Sequence, residues 1–124
     1  MTDSSPIRLR LRLNGSHGIV MGPGRADLLS FIAQTGSIAA AGRRMGMSYK
    51  RAWSLVESLN TTFSAPLVET AKGGAAHGGA RLTKLGTELL AAYRALEDAT
   101  QAAGAEALHR IESALSVPPA QNPR

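Results

Sequence analysis

The sequence predicts a mainly helical α+β domain, in which two β-hairpins flank short helices and one long helix follows. Three patterns support this prediction. Apolar and basic residues alternate strictly over residues 7–13, which is the period of a half-buried strand. From residue 37 onward, apolar residues recur at helical spacing after serine and threonine residues that can cap helices. A second strand pair with a glycine-rich tip, residues 66–83, precedes the longest helical pattern.

The composition narrows the class of protein. The chain has 124 residues, enough for one domain with its own core, and contains no cysteine. Disulfides, thiolate metal sites and cysteine nucleophiles are therefore excluded. The sequence also lacks the apolar core of a signal peptide and the apolar run of about 18 residues that a membrane span needs. These features favour a soluble, cytoplasmic protein.

The charge of the chain indicates a polyanionic partner. Its formal net charge is +5 and its isoelectric point is about 10.5, in the range of small nucleic-acid-binding domains. Between Arg43 and Lys84 the sequence has seven basic residues, and its only acidic residues there are Glu57 and Glu69. The positive charge is therefore concentrated in the middle of the chain.

An N-terminal β-hairpin and a first helix are predicted before this basic region. Residues 1–6 are polar and are expected to be disordered. A strand over Ile7–Leu13 is followed by turn residues and by a return strand over 19–21. We expect the arginines of the first strand to form a solvated face rather than a binding site. The next helix is predicted over Arg25–Gln34 and ends at Gly36.

The central pattern is two short helices joined by a tight turn. The first runs from Ser37 to Met45, Gly46 interrupts it, and Ser48 can cap the second. The apolar stripe of the second helix consists of Ala52, Leu55, Val56 and Leu59. Its opposite face carries Tyr49, Lys50, Arg51, Ser54 and Ser58. This pattern is typical of a helix-turn-helix, whose second helix enters the major groove of DNA, although two packed helices with solvated charges would look similar.

A winged form of this motif is predicted because a basic hairpin follows. The hairpin covers Pro66–Thr83, and its glycine-rich tip is expected to be flexible. Lys72 and Arg81 flank the tip, where they could contact the phosphate backbone or the minor groove. His77 at the tip could join them, or it could be an exposed loop residue.

The long last helix is predicted to begin at a Thr83 cap. Its apolar residues step by four and three, as in a seam between helices: Leu85, Leu89, Ala92, Leu96, Ala99 and Ala103. A kink or break is expected near Gly104, after which the apolar pattern resumes up to Leu115. The seam predicts dimerisation through this helix, with packing onto its own core as the alternative. The predicted units are a disordered N-terminus (1–6), a winged helix-turn-helix domain (7–82), a dimerisation helix (83–115) and a disordered tail (116–124).

Catalytic and metal-binding patterns are missing from the sequence. The three histidines, His17, His77 and His109, have no ligand spacing, and no serine lies in a nucleophile elbow. Trp53 could stack on a base, but it adjoins the buried stripe and is interpreted as a core residue. The sequence therefore predicts no enzyme, no metal and no cofactor.

These motifs resemble the N-terminal DNA-binding domain of the ModE family, which are molybdate-responsive bacterial regulators related to LysR-type winged helix-turn-helix proteins. The resemblance covers about residues 7–103 and is most specific over Ser48–Trp53 and the tip Gly73–Gly79. It implies a homodimer that contacts its partner through the first and last helices. It also implies recognition helices in successive major grooves of a palindromic operator, with the hairpins alongside.

Full-length members of that family continue into oxyanion-binding domains that sense molybdate, whereas this sequence stops at Arg124. We therefore expect no molybdate-sensing domain, and a molybdate effect only through a partner. The expected function is a sequence-specific transcriptional regulator, with molybdenum-related genes as candidate targets. The alternative is a dimeric protein-interaction module that binds another regulator or a molybdenum-pathway protein. The residues expected to contact DNA are Arg43, Arg44, Ser48, Tyr49, Lys50, Arg51, Ser54, Lys72, His77 and Arg81.

Overall fold

A computed structural model describes residues 7–71 and 79–116 of the chain. This part contains five helices and two antiparallel two-stranded sheets, so the predicted mainly helical α+β class is confirmed. In chain order the elements are β1 (Leu13–Gly15), β2 (Gly18–Met21), α1 (Pro23–Thr35), α2 (Ile38–Arg44), α3 (Tyr49–Thr62), β3 (Val68–Thr70), β4 (Ala80–Leu82), α4 (Lys84–Ala103) and α5 (Ala105–Ser113). None of the helices within the described ranges has an apolar stretch of the length that a membrane span requires.

The hydrophobic core lies between α1, α2, α3 and the start of β3. Its largest fully buried side chains are Leu28, Leu29, Ile32, Val56, Leu59 and Leu67. In α3 the predicted apolar stripe is confirmed, because Ala52, Val56 and Leu59 are buried and Leu55 packs against them at the edge. Burial of these side chains fixes which face of α3 points away from the core.

The three predicted helix caps are confirmed. The hydroxyl oxygen of Ser37 accepts a hydrogen bond from the Ala40 amide at 3.0 Å, and that of Ser48 accepts from the Arg51 amide at 3.1 Å. Thr83 caps α4 in the same way through Gly86. Each bond satisfies an amide that has no partner within its helix. The sequence therefore defines where α2, α3 and α4 begin.

The N-terminal hairpin is shorter than predicted. The prediction of a strand over Ile7–Leu13 is wrong for its first six residues, since β1 begins at Leu13. The partner strand β2 has four residues and α1 begins two residues later, so the earlier part of the segment has no strand to pair with. The predicted alternation persists in the burial of residues 7–13, whose apolar side chains are half-buried and whose arginines are exposed.

Side chains of α4 bind the backbone of this N-terminal segment in place of a strand. The Leu9 amide donates to Oε1 of Gln101 at 3.2 Å, and the hydroxyl of Tyr93 donates to the Leu11 carbonyl at 2.6 Å. Tyr93 is buried, and this burial, with a contribution from Glu97, raises the pKa of its hydroxyl. The hydroxyl therefore remains protonated and able to donate.

Replacing Tyr93 with phenylalanine should lower the free energy of unfolding by about 1 kcal/mol, because the Leu11 carbonyl would lose its partner while the ring stays in place. Urea denaturation of the wild type and of Tyr93→Phe measures this loss. Tyr49→Phe is the control, since the Tyr49 side chain is exposed and its change should leave the midpoint unaltered. Equal midpoints for all three proteins would contradict the prediction.

The second hairpin pairs β3 with β4, as predicted. The register sets Val68 opposite Leu82, Glu69 opposite Arg81 and Thr70 opposite Ala80. A further bond from the Ala80 amide to the Gly36 carbonyl, at 2.9 Å, joins the hairpin to the turn between α1 and α2. Residues 72–78 of the tip, which include Lys72 and His77, lie outside the described residues.

The long last helix is interrupted at Gly104, which confirms the predicted break and separates α4 from α5. Near its start, α4 packs on the core through Leu85, Leu89 and Leu90. Further along, most residues of the predicted seam are exposed in the single chain: Ala92, Leu96, Ala99 and Ala103. The first part of the seam is therefore covered by the core of this chain, whereas the part from Ala92 to Ala103 is exposed.

Candidate nucleic-acid interface

The turn between α2 and α3 has the compact geometry of a helix-turn-helix. Gly46 adopts a φ of 70°, a left-handed conformation that glycine takes without steric cost. The Met47 amide donates to the Gly42 carbonyl at 3.0 Å, which brings the chain back towards α2. A Cβ placed on Gly42 would lie 3.0 Å from the Cβ of Ala52, so the two helices approach more closely than larger residues would allow.

The side of α3 that faces away from the core carries the predicted contact residues. The predicted contact residues at the cap and in the first turns of α3 are all exposed: Ser48, Tyr49, Lys50, Arg51 and Ser54. Tyr49 is 55% exposed, and its ring makes a T-shaped contact with the ring of Trp53, with 6.2 Å between the ring centroids. Trp53 is half-buried and packs on the core, which confirms its interpretation as a core residue. An exposed tyrosine beside two cations is a surface that can contact bases and phosphates.

The formal charges at the end of α2 and the start of α3 are all positive. The sequence has no acidic residue between Asp27 and Glu57, whereas the end of α2 and the start of α3 contribute Arg43, Arg44, Lys50 and Arg51. The N-terminus of α3 adds the positive end of its helix dipole. Arg44 is held against the protein body, because its guanidinium lies 5.5 Å from the centroid of the Phe31 ring.

The hairpin contributes one described cation, Arg81, whose side chain is 80% exposed. Its Nε donates to Oε2 of Glu69 at 2.7 Å, and the two residues are directly opposite in the register. Sequence reasoning did not consider a partner for Arg81, although the register of the hairpin would have indicated Glu69. Glu69 orients the guanidinium and partly neutralises it. The predicted contacts from Lys72 and His77 lie outside the described residues.

Ser58 was predicted on the face of α3 opposite the buried stripe, and it is less exposed than the other residues of that face. It is half-buried and accepts a hydrogen bond from Nη1 of Arg25 at 3.1 Å, across 33 positions of the chain. Burial lowers the pKa of Arg25. No local signal in the sequence indicates this contact, because it depends on how α1 packs against α3.

Sequence reasoning also missed Asn60, whose side chain joins the end of α3 to the strand β3. Its spacing from β3 gives no recognisable motif. No cluster of three or more histidine or acidic residues able to hold a metal ion occurs within residues 7–71 and 79–116.

Comparison with known proteins places this arrangement in a family context. Residues 26–87 match the family model described as "Bacterial regulatory helix-turn-helix protein, lysR family". The chain is 46% identical over 104 residues to the molybdenum-pterin-binding protein MopB of Rhodobacter capsulatus, covering 84% of this chain and 37% of that protein. It is 47% identical over 93 residues to the molybdenum transport protein ModE of Herbaspirillum seropedicae, covering 75% of this chain and 33% of that protein.

A third relative is described as the DNA-binding transcriptional dual regulator ModE of Escherichia coli (strain K12), which is 41% identical over 81 residues, or 65% of this chain and 31% of that protein. These matches confirm the resemblance to the ModE family. The chain thus spans about a third of the length of the curated relatives it matches.

Among solved structures, the chain resembles CbnR_DBD in the crystal structure of the CbnR_DBD–DNA complex. The TM-score is 0.57 at 20% sequence identity, over 71% of this chain and 95% of that one. This likeness concerns the fold alone and confirms the winged helix-turn-helix class.

Proposed function

Because this chain belongs to the lysR family of bacterial regulatory helix-turn-helix proteins, we propose that it is a sequence-specific DNA-binding transcriptional regulator without enzymatic activity. The observation that carries the proposal is the exposed basic face at the start of α3, which lies opposite the helix's buried stripe. In a helix-turn-helix this end of the second helix reaches the base edges of the major groove. Acting on chromosomal DNA, the protein would work in the cytoplasm.

The proposed contacts divide into two groups by their position. Tyr49, Lys50, Arg51 and Ser54 occupy the first turns of α3 and would face base edges or the adjacent phosphates. Ser48 precedes them and would lie beside the sugar-phosphate backbone of the DNA. Four further residues would mainly neutralise the charge of the DNA backbone: Arg43, Arg44, Lys72 and Arg81. His77 is proposed to contact the DNA beside Lys72.

A homodimer on a palindromic operator is the proposed assembly. The exposed seam of α4 supports it, because Leu96 is 41% exposed in the single chain and continues the stripe formed by Ala92 and Ala99. A second copy of the same helix would cover these side chains through a symmetric contact. Two recognition helices would then lie one helical turn of DNA apart.

Molybdenum-related genes are the proposed targets, since relatives of this chain are named for molybdenum transport or molybdenum-pterin binding. The residues described here belong to the DNA-binding region.

Fluorescence anisotropy tests the proposal with the 124-residue chain, a duplex from its own upstream region and a random duplex, across a salt series with and without molybdate. We expect tighter binding to the upstream duplex and a steep fall in affinity with added salt, because binding displaces counterions from DNA. Weak, equal binding to both duplexes would contradict the proposal and favour a protein-interaction module instead.

A further inference from the structure

Asn60 lies in the last turn of α3 and forms three hydrogen bonds with the start of β3. Its Oδ1 accepts from the Leu67 amide at 2.8 Å and from the Val68 amide at 3.0 Å. Its Nδ2 donates to the Val68 carbonyl at 3.0 Å. The carboxamide therefore uses both its acceptor and its donor on the backbone of one short segment, as a neighbouring strand would do.

These bonds connect two elements that the proposed function requires to act together. Backbone hydrogen bonds attach the hairpin to other parts of the fold. The Ala80 amide donates to the Gly36 carbonyl in the turn after α1, and the amide of Thr83, the cap of α4, donates to the Leu67 carbonyl. Within residues 7–71 and 79–116, the hydrogen bonds between α3 and β3 all come from Asn60. The recognition helix and the hairpin share apolar packing in the core, but the hydrogen bonds between α3 and the start of β3 all depend on this one side chain.

We infer that Asn60 is a positioning residue, which holds the β3–β4 hairpin at a fixed orientation to α3 so that both contact DNA together. Val68 is adjacent to Glu69, which pairs with Arg81 across the hairpin. A change in the orientation of β3 is therefore carried to the exposed guanidinium of Arg81. This inference rests on the proposed function, because it concerns the same DNA contact.

Salt dependence tests the inference with four variants of the full chain: Asn60→Ala, Arg81→Ala, the double variant and the control Thr61→Ala. The hydroxyl of Thr61 bonds only within α3, to the Glu57 and Ser58 carbonyls, so its loss perturbs the same helix end without touching the hairpin. A plot of log K against log salt has a negative slope, and each lost phosphate contact reduces the magnitude of that slope by about 0.9. A lower folded fraction that stays the same at every salt concentration changes the apparent affinity but not this slope.

We expect Arg81→Ala and Asn60→Ala each to reduce the magnitude of the slope by about 1 or more. The double variant should show the same slope as Asn60→Ala. Thr61→Ala should keep the slope of the wild type. If Arg81→Ala reduced the magnitude of the slope equally in the wild type and in Asn60→Ala, the inference would be overturned. An unchanged slope for Arg81→Ala in the wild-type background would also overturn it, while leaving the role of α3 in place.

Residual dipolar couplings of the DNA-free protein separate this inference from the proposed function. One alignment tensor should fit the amides of α3, β3 and β4 in the wild type and in Thr61→Ala, but not in Asn60→Ala. Asn60→Asp serves if the alanine variant does not fold, because it keeps the accepting oxygen and loses only the donor to Val68. A single tensor that still fits the folded Asn60 variant would overturn the inference even if no DNA were bound.

Discussion

Replacing Gly86 with alanine should lower the free energy of unfolding by about 3 kcal/mol or more, a large part of the stability of a small domain. Gly86 is buried near the start of α4, where the helix backbone approaches Leu67. An added Cβ would overlap the Leu67 carbonyl oxygen and lie 3.0 Å from its carbonyl carbon. The Leu67 side chain is fully buried and its carbonyl accepts from the Thr83 amide, so neither backbone can move away easily.

Urea denaturation followed by circular dichroism measures this loss, and Gly24→Ala is its matched control. Gly24 is also a helical glycine, in α1, but a Cβ there would meet no atom within 4 Å. Alanine at this position should be neutral or stabilise by up to about 1 kcal/mol, because it favours the helix. Similar midpoints for the two variants would show that α4 does not approach Leu67 so closely.

Arg51→Ala should weaken binding to the preferred duplex by about 1–3 kcal/mol and reduce the preference over random DNA. Arg51 is exposed in the first turn of α3, where a guanidinium can donate two hydrogen bonds to one guanine. Its backbone amide, not its side chain, bonds the Ser48 cap, so the start of the helix is retained in the variant. The loss should therefore come from recognition rather than from folding.

Anisotropy on the upstream and random duplexes measures this effect, with Arg43→Ala as the control. Arg43 is exposed in the last turn of α2 and is proposed to contact phosphates alone, so its loss should weaken both duplexes equally. Thermal melting of both variants checks that they are folded. If both variants lost affinity equally on the two duplexes, the proposed division between base and backbone contacts would be wrong.

Features of the fold that depend on local chemistry could be predicted from the sequence. The caps at Ser37, Ser48 and Thr83 each bond an amide three residues away, and Gly36 ends α1 with a φ of 74°. The length of β1 could not be predicted in this way. An alternating segment becomes a strand only where a partner runs beside it, and the early start of α1 removes that partner.

In the candidate site, too, local features could be predicted from the sequence and contacts between distant residues could not. The exposed face of α3 follows from helical periodicity, since the buried stripe determines which residues are left outside. The contacts that place the site were missed, because Arg25 meets Ser58 across 33 positions and Asn60 meets Leu67 across a loop. Such pairs depend on packing between elements, which a single sequence does not indicate.

The hydroxyl cap of α3 makes the start of this helix insensitive to acid. No acidic residue occupies the first turn of α2, α3 or α4, and each of these helices is capped by a neutral serine or threonine. An aspartate cap would have lost strength as it became protonated in acid, and in its charged form it would have repelled a phosphate. A serine hydroxyl does not titrate in this range. The start of α3 and its proposed attraction for a DNA phosphate are therefore independent of carboxylate ionisation at the cap.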